Sequence, residues 1–130
     1  MIQSVSLFRL RIGPQVVGYL RVYANGVLEY SADQFWWHGN PIEYTQKDQY
    51  SGLKDKNNRS LFEHDVVAIR ESLNKHPKQA GVIQFKPDRD AFVWVDMTAN
   101  RILDLFADHI PLFHKSECTF LGFAFDKNSN

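Results

Sequence analysis

The amino-acid sequence predicts a mostly β fold, of the β or α+β class, with one short helix. The first observation is a series of short runs that alternate apolar and polar residues or are rich in β-branched and aromatic residues. The second is that Gly, Pro, Asn or Asp separates these runs, as expected of turns. A third observation is that only residues 101–110 carry apolar side chains at helical spacing.

The amino-terminal third is predicted to be a β-meander. Residues 5–12 alternate, and this strand has Arg9 and Arg11 on the face opposite to its apolar side chains. Residues 16–23 form the second strand, and residues 27–30 return as the third.

A hairpin turn is predicted between the second and third strands. The dipeptide Asn25-Gly26 lies there, and it is typical of a type I′ turn, in which both central residues have positive φ.

The rest of the chain contributes further strands and the helix. Residues 66–69 are mostly β-branched, residues 82–85 and 91–95 are predicted to form a second hairpin, and residues 119–125 form a closing strand. Between the last two, residues 101–110 are predicted to form the helix. Its apolar positions are Ile102, Leu103, Leu105, Phe106 and Ile110.

Residues 50–67, YSGLKDKNNRSLFEHDVV, resemble the signature of the YopX family of phage and prophage proteins. Residues 81–85 and 120–125 resemble two further strands of that family, so the resemblance covers about residues 44–126. Two departures are Asn58 and His64, which stand where the family usually has glycine. Asn tolerates positive φ, whereas His is less easily accommodated there.

The resemblance implies a mostly β fold whose carboxy-terminal part is like a small SH3-type barrel. It divides the chain into an amino-terminal meander at residues 1–44, a barrel at residues 45–126 and a frayed tail at residues 127–130. The family has no established biochemistry, so the resemblance carries over no catalytic residue and no cofactor.

Composition narrows the function classes. The 130 residues include 15 Lys plus Arg and 15 Asp plus Glu, so no global positive field attracts nucleic acid. The single cysteine cannot form an internal disulfide, and the start of the chain does not read as a signal peptide. We therefore expect a location in the cytoplasm of the host cell. No apolar run approaches the roughly 20 residues that a membrane span needs.

Residues 50–67, the corner motif, are interpreted mainly as a structural corner between two strands. Its turn-forming residues satisfy backbone amides and permit tight turns. The corner residues are Gly52, Asp55, Asn57, Asn58 and Asp65, with Leu53 and Leu61 as apolar anchors.

The same segment carries a small basic loop formed by Lys54, Lys56 and Arg59. These cations suit a phosphate or an acidic partner, but Asp55 interrupts them, and a solvated loop is the alternative interpretation.

Two enzymatic interpretations, a zinc site and a hydrolase triad, lack a standard sequence motif. His109, His114 and Cys118, with Asp104 or Asp108, have the residue types of a zinc site, but their spacing matches no standard motif.

A hydrolase triad of Ser51, His64 and Asp65 lacks a nucleophile elbow or a comparable local context. We therefore expect no catalytic residue, no metal and no cofactor.

Three adjacent aromatic residues, Phe35, Trp36 and Trp37, form an aromatic cluster and the strongest candidate interface. Together with Trp94, they have the chemistry of a platform for bases or for a protein. On a strand, neighbouring side chains would point to opposite faces, so at least one would leave the core. We expect the cluster at a subunit contact or a partner surface, and burial in a second small core is the alternative.

These features favour a non-enzymatic phage or prophage accessory protein that binds a host or phage macromolecule, as a homo-oligomer. One alternative is a nucleic-acid-binding β-barrel that uses the basic loop and nearby aromatic residues. The other is a small metal-dependent hydrolase built on the histidines.

Overall fold

A computed structural model describes residues 4–70, 79–98 and 100–125. These residues form a mostly β structure with almost no helix, which confirms the predicted class. The strands are β1 (Val5–Ile12), β2 (Gln15–Tyr23), β3 (Leu28–Ser31), β4 (Gln46–Lys54), β5 (Ser60–Phe62), β6 (Asp65–Ile69), β7 (Gln79–Lys86), β8 (Ala91–Asp96), β9 (Ile102–Asp104), β10 (Phe106–Ala107), β11 (Ile110–Pro111) and β12 (Cys118–Phe123). A 3₁₀ helix spans Lys115–Glu117.

The chain divides into two compact units, Met1–Tyr50 and Ser51–Asn130. The division falls within β4, whereas the sequence places a boundary between residues 44 and 45. The expected frayed tail, residues 127–130, lies outside the described residues.

In the first unit, antiparallel strands follow the order β3-β2-β1-β4. The alternation in β1 and β2 places Leu10 and Leu20 on one buried face with Tyr30 of β3. This small core is covered by partly buried side chains, namely Phe8, Val17, Val22, Ile42 and Tyr44.

The turn between β2 and β3 differs from the predicted type I′ turn. Only Gly26 of the Asn-Gly pair has positive φ, at 89°. Its N–H donates to the carbonyl of Tyr23 over 2.9 Å, and the side chain of Asn25 accepts from the N–H of Val27 over 3.1 Å. Asn25 therefore stabilises the turn through its side chain instead of through a left-handed backbone.

In the second unit, antiparallel strands follow the order β12-β6-β7-β8-β9. The end of β4, which belongs to this unit, neighbours β5. The predicted hairpin of residues 82–85 and 91–95 is present as β7 and β8. The buried core comprises Leu53, Leu61, Val67, Ile69, Ile83, Trp94, Leu105 and Cys118.

Trp94 belongs to this core and is fully buried. Its indole N–H donates to the carbonyl of Val67 over 2.9 Å, so its polar atom is satisfied. Gly81 gives it room, because a Cβ at that position would lie 2.2 Å from Cε2 of the indole. Trp94 is thus a core residue and does not join the aromatic cluster in a platform.

The predicted helix at residues 101–110 is wrong. This segment forms β9, β10 and β11, and β9 pairs with β8 through Trp94 and Leu103. Asp108 and His109 have positive φ, at 50° and 67°, which no right-handed helix contains. Burial of Leu105 against the sheet outweighs the helical spacing of the apolar residues.

Among the described residues, no helix has the length and apolar character needed to cross a membrane. The SH3-type barrel stays a prediction, since the strand order alone does not establish it.

Candidate interaction surfaces

The aromatic cluster lies on a loop, residues 32–37, and not on a strand. This aromatic loop follows β3, and it closes where Tyr30 and His38 exchange backbone hydrogen bonds of 2.7 and 2.9 Å. The loop is therefore anchored at both ends to the first unit.

Two side chains fix the backbone inside the loop. The carboxylate of Asp33 accepts from the N–H groups of Phe35 and Trp36, at 2.9 and 3.2 Å. The hydroxyl of Ser31 accepts from the N–H groups of Asp33 and Gln34, at 3.2 and 2.8 Å. The hydrogen bonds from Phe35 and Trp36 hold the pKa of Asp33 below its ordinary value, because they stabilise the ionised carboxylate.

The three aromatic side chains have different environments. Phe35 is 90% exposed and Trp36 is 72% exposed. Trp37 is half-buried, with the guanidinium of Arg21 lying 4.0 Å from its ring centroid. Its indole N–H donates to the carbonyl of Gln34 over 3.2 Å. Trp37 thus anchors the loop, while Phe35 and Trp36 face solvent.

Arg21 is itself positioned by an acidic partner on β3. Its guanidinium forms a salt bridge of 2.7 Å with Glu29, which also accepts a hydrogen bond from the hydroxyl of Tyr23. The hydrogen bond from Tyr23 and the charge of Arg21 lower the pKa of Glu29. The cation beneath Trp37 is therefore held in place by two neighbouring strands.

In the corner motif, Asp55 is buried and accepts three backbone hydrogen bonds. One carboxylate oxygen accepts from Asn57 and Arg59, at 2.9 and 3.0 Å. The other oxygen accepts from Phe120 of β12 over 3.1 Å. The side chain thus holds the turn and attaches it to the last strand.

The other corner residues do not all lie in turns, because Gly52 lies within β4 and Asp65 begins β6. Asn58, His64 and Gly52 have positive φ, at 65°, 71° and 90°. Asp65 is fully buried, and its carboxylate accepts from the N–H of Phe62 over 2.7 Å. Asn58 and His64, the two departures from the resemblance, therefore both adopt the left-handed conformation, which favours glycine.

The basic loop presents two exposed lysines, Lys54 and Lys56. Arg59 differs, because its guanidinium lies 3.6 Å from the centroid of the Phe120 ring. The ring packs on one face of this cation, while the N–H donors of the guanidinium lie in its plane.

The residues of the proposed triad make other contacts. The hydroxyl of Ser51 donates to the carbonyl of Leu61 over 2.6 Å and accepts from the N–H of Leu53 over 3.1 Å. The backbone of His64 bonds to Ile83 and Ala124, each at 2.7 Å. These contacts give Ser51 and His64 structural roles beside the corner.

The zinc interpretation gains no geometric support. Across residues 4–70, 79–98 and 100–125, no group of three or more His, Cys, Asp or Glu could hold a metal ion. His114 accepts from the N–H of Ser116 and caps the 3₁₀ helix. Cys118 is buried, and burial, followed by the charges of Glu117 and Asp55, raises its pKa to about 11.

Sequence reasoning missed a buried charged cluster in the first unit. Arg9 and Arg11 of β1 both contact the carboxylate of Asp48 on β4, with nitrogen–oxygen distances of 2.8 Å. All three are buried. Arginines at alternate positions of one strand, with an acidic residue in another strand, are the sequence signal for such a cluster.

Comparison with models of protein families shows which family the chain belongs to. A family model described as YopX protein matches residues 21–117, well over half of the chain. The chain belongs to the YopX family. Comparison with curated proteins and with solved structures gives no significant match.

The YopX match begins within β2, earlier than the resemblance that starts at residue 44. It therefore includes the aromatic loop as well as the corner motif.

Proposed function

We propose that this YopX-family protein is a non-enzymatic phage or prophage accessory protein that binds a host or phage macromolecule in the cytoplasm of the host cell. The observation that carries the proposal is the exposure of Phe35 and Trp36 on a loop whose backbone is fixed by Asp33.

A fixed loop lowers the cost of binding. A mobile loop loses conformational entropy when it docks, whereas hydrogen bonds from the backbone to the side chains of Ser31 and Asp33 already order this one. Two large aromatic side chains then supply apolar area to a partner, and such residues are enriched at the centres of protein interfaces. We therefore assign the aromatic loop to the macromolecular partner.

The charge distribution favours a protein partner over nucleic acid. The chain has no net charge, and the basic loop carries only three cations, Lys54, Lys56 and Arg59. Non-specific nucleic-acid affinity depends on several accessible cations, which neutralise phosphates.

Affinity capture from phage-infected and uninfected host lysates tests this function. The immobilised protein is compared with the double variant Phe35→Ser/Trp36→Ser and with Leu121→Ser, a matched control that removes an exposed apolar side chain from β12. We expect a partner that the wild type and Leu121→Ser retain and that the double variant loses. The purified partner should then bind with the same pattern.

Two outcomes would contradict the proposal. One is retention of the same partner by the double variant. The other is capture of nucleic acid alone, abolished by nuclease and by raised salt, which would favour the nucleic-acid-binding alternative.

A further inference from the structure

The second unit has an acidic groove of about 430 Å³. The exposed carboxylates of Asp90 and Asp108 line it, and Phe92 and Phe106 provide an apolar floor. Asp90 lies at the turn before β8, and Asp108 lies at the turn between β10 and β11. The groove thus combines two negative charges with aromatic surface.

The same unit has a basic groove of about 480 Å³. The exposed side chains of Lys54 and Lys115 line it, and Leu53 and Phe113 contribute apolar surface. The nearby carboxylate of Glu117 accepts from the N–H of His114 over 3.0 Å, within the cap of the 3₁₀ helix. The groove therefore combines two positive charges with apolar surface.

The two grooves adjoin at the β10–β11 hairpin. Phe106 lines the acidic groove, and its strand partner Pro111 lines the basic groove. Phe106 also reaches toward Gly52 of the basic groove, where a Cβ would lie 3.3 Å from the ring. From the same segment, Ile110 and Leu112 are 66% and 52% exposed.

We propose that the acidic groove of one copy of this chain docks against the basic groove of a second copy. Each groove carries two charged side chains of the sign that the other requires, and the chain as a whole is neutral. The exposed Leu112 lines the basic groove, Ile110 precedes Pro111 on the hairpin where the grooves adjoin, and both supply apolar area to the contact. Opposite charges around an apolar centre fix the register of such an interface.

Charge complementarity within one chain selects a second copy as the occupant. A different protein would need both an acidic and a basic surface at matching positions, whereas every copy of this chain already has both. Two further exposed charges near the acidic groove, Arg89 and Asp104, lie 3.7 Å apart and partly offset each other. The contact is separate from the aromatic loop of the first unit, so it goes beyond the proposed function.

Light scattering and sedimentation equilibrium over a range of protein concentrations test the proposal. We expect the wild type to form a species larger than the 15.1 kDa chain and to dissociate as salt is raised. The variants Lys54→Glu/Lys115→Glu and Asp90→Lys/Asp108→Lys should each weaken self-association by about tenfold or more, because like charges then face each other. An equimolar mixture of the two variants should associate again, since each now complements the other.

Lys56→Glu is the control, because it reverses one lysine outside the grooves, just as each single change in Lys54→Glu/Lys115→Glu reverses one within the basic groove, and it should leave self-association unchanged. Both aspartates have positive φ, at 49° and 50°, so the lysine variant is also compared in thermal melts with Asp90→Asn/Asp108→Asn. Asn tolerates that conformation and removes both charges. If the lysine variant does not fold, weaker self-association of the Asn variant supports the proposal.

Three results would overturn it. They are a wild type that stays monomeric at every concentration, groove variants that associate as the wild type does, and a mixture that does not recover. Self-association that Phe35→Ser/Trp36→Ser abolishes, with no effect of the groove variants, would move the subunit contact to the aromatic loop.

Discussion

The carboxylate of Asp55 accepts a hydrogen bond of 3.1 Å from the backbone N–H of Phe120, 65 residues later in the chain. Because its other oxygen holds the turn that contains Asn57 and Arg59, one buried side chain connects a local corner with the last strand. The corner motif is therefore a long-range structural element as well as a turn.

The first prediction concerns this carboxylate. Asp55→Asn keeps one acceptor oxygen but replaces the other with an amide that cannot accept a hydrogen bond, and it should destabilise the protein by about 1–3 kcal/mol. Urea denaturation measures the effect, with the exposed Asp88→Asn as the control. Equal stability of the two variants would show that solvent replaces the lost contact.

The second prediction concerns the left-handed backbone at His64, where φ is 71°. His64→Gly should raise the free energy of unfolding by about 1 kcal/mol, because glycine avoids the steric cost of positive φ. The flexibility of glycine in the unfolded chain reduces the gain. Chemical denaturation checks the sign, and a clear loss of stability would mean that contacts of the imidazole outweigh the backbone strain.

The third prediction uses the close approach of Gly81 to Trp94. Gly81→Ala should cost about 1–3 kcal/mol or more, since its Cβ would lie 2.2 Å from the buried indole and displace it. Gly39→Ala is the matched control, because a Cβ at that position meets no atom within 4 Å. Denaturation followed by tryptophan fluorescence should separate the two variants, and equal midpoints would argue against rigid packing around Trp94.

The fourth prediction follows from the raised pKa of Cys118, about 11 in the folded chain against an ordinary 9.0. As pH rises through this interval, the unfolded chain loses the thiol proton while the folded chain keeps it, so stability should fall. Cys118→Ala should lose less stability over the same interval. Alkylation by iodoacetamide at pH 8 should also be slow until denaturant is added, and rapid alkylation of the folded protein would contradict the burial of the thiol.

The fifth prediction concerns the order of the aromatic loop. The lowered pKa of Asp33 means that its carboxylate supports the loop at neutral pH, and this support is lost only as pH falls through the lowered pKa. Asp33→Ala should therefore loosen the loop at neutral pH and increase amide hydrogen exchange at Phe35 and Trp36. Asp33→Asn, which keeps one acceptor, should have a smaller effect. Unchanged exchange in both variants would assign the loop order to other contacts.

The sequence predicted most strands because the strand periodicity was strong and the turn residues were clear. β1 is bounded as the alternation predicts, and the β7–β8 hairpin is present. The helix predicted at residues 101–110 was wrong because the spacing of apolar residues does not show whether a strand partner is available. Here β8 pairs with β9. Local pattern was insufficient where a long-range contact decided the conformation.

The candidate surfaces, like the strands, were predictable only in part from the sequence. Three adjacent aromatic residues were visible in the sequence, but the contact of Arg21 with Trp37 depends on a neighbouring strand. The two charged grooves were not predictable at all, because each is assembled from segments distant in the chain. The sequence identified Lys54 as part of a basic loop, but only the fold brings Lys115 into the same groove as Lys54.

The buried contacts of Arg9 and Arg11 with Asp48 have a consequence for how the sequence can diverge. Substitution of Asp48 alone leaves two buried guanidiniums without the carboxylate that both contact. Substitution of one arginine leaves the buried Asp48 carboxylate with only one of the two guanidiniums that balance its charge. An intermediate with only one change is therefore costly. Related sequences should keep this trio together or exchange all three positions for apolar residues, so the positions should covary as a group of three instead of as separate pairs.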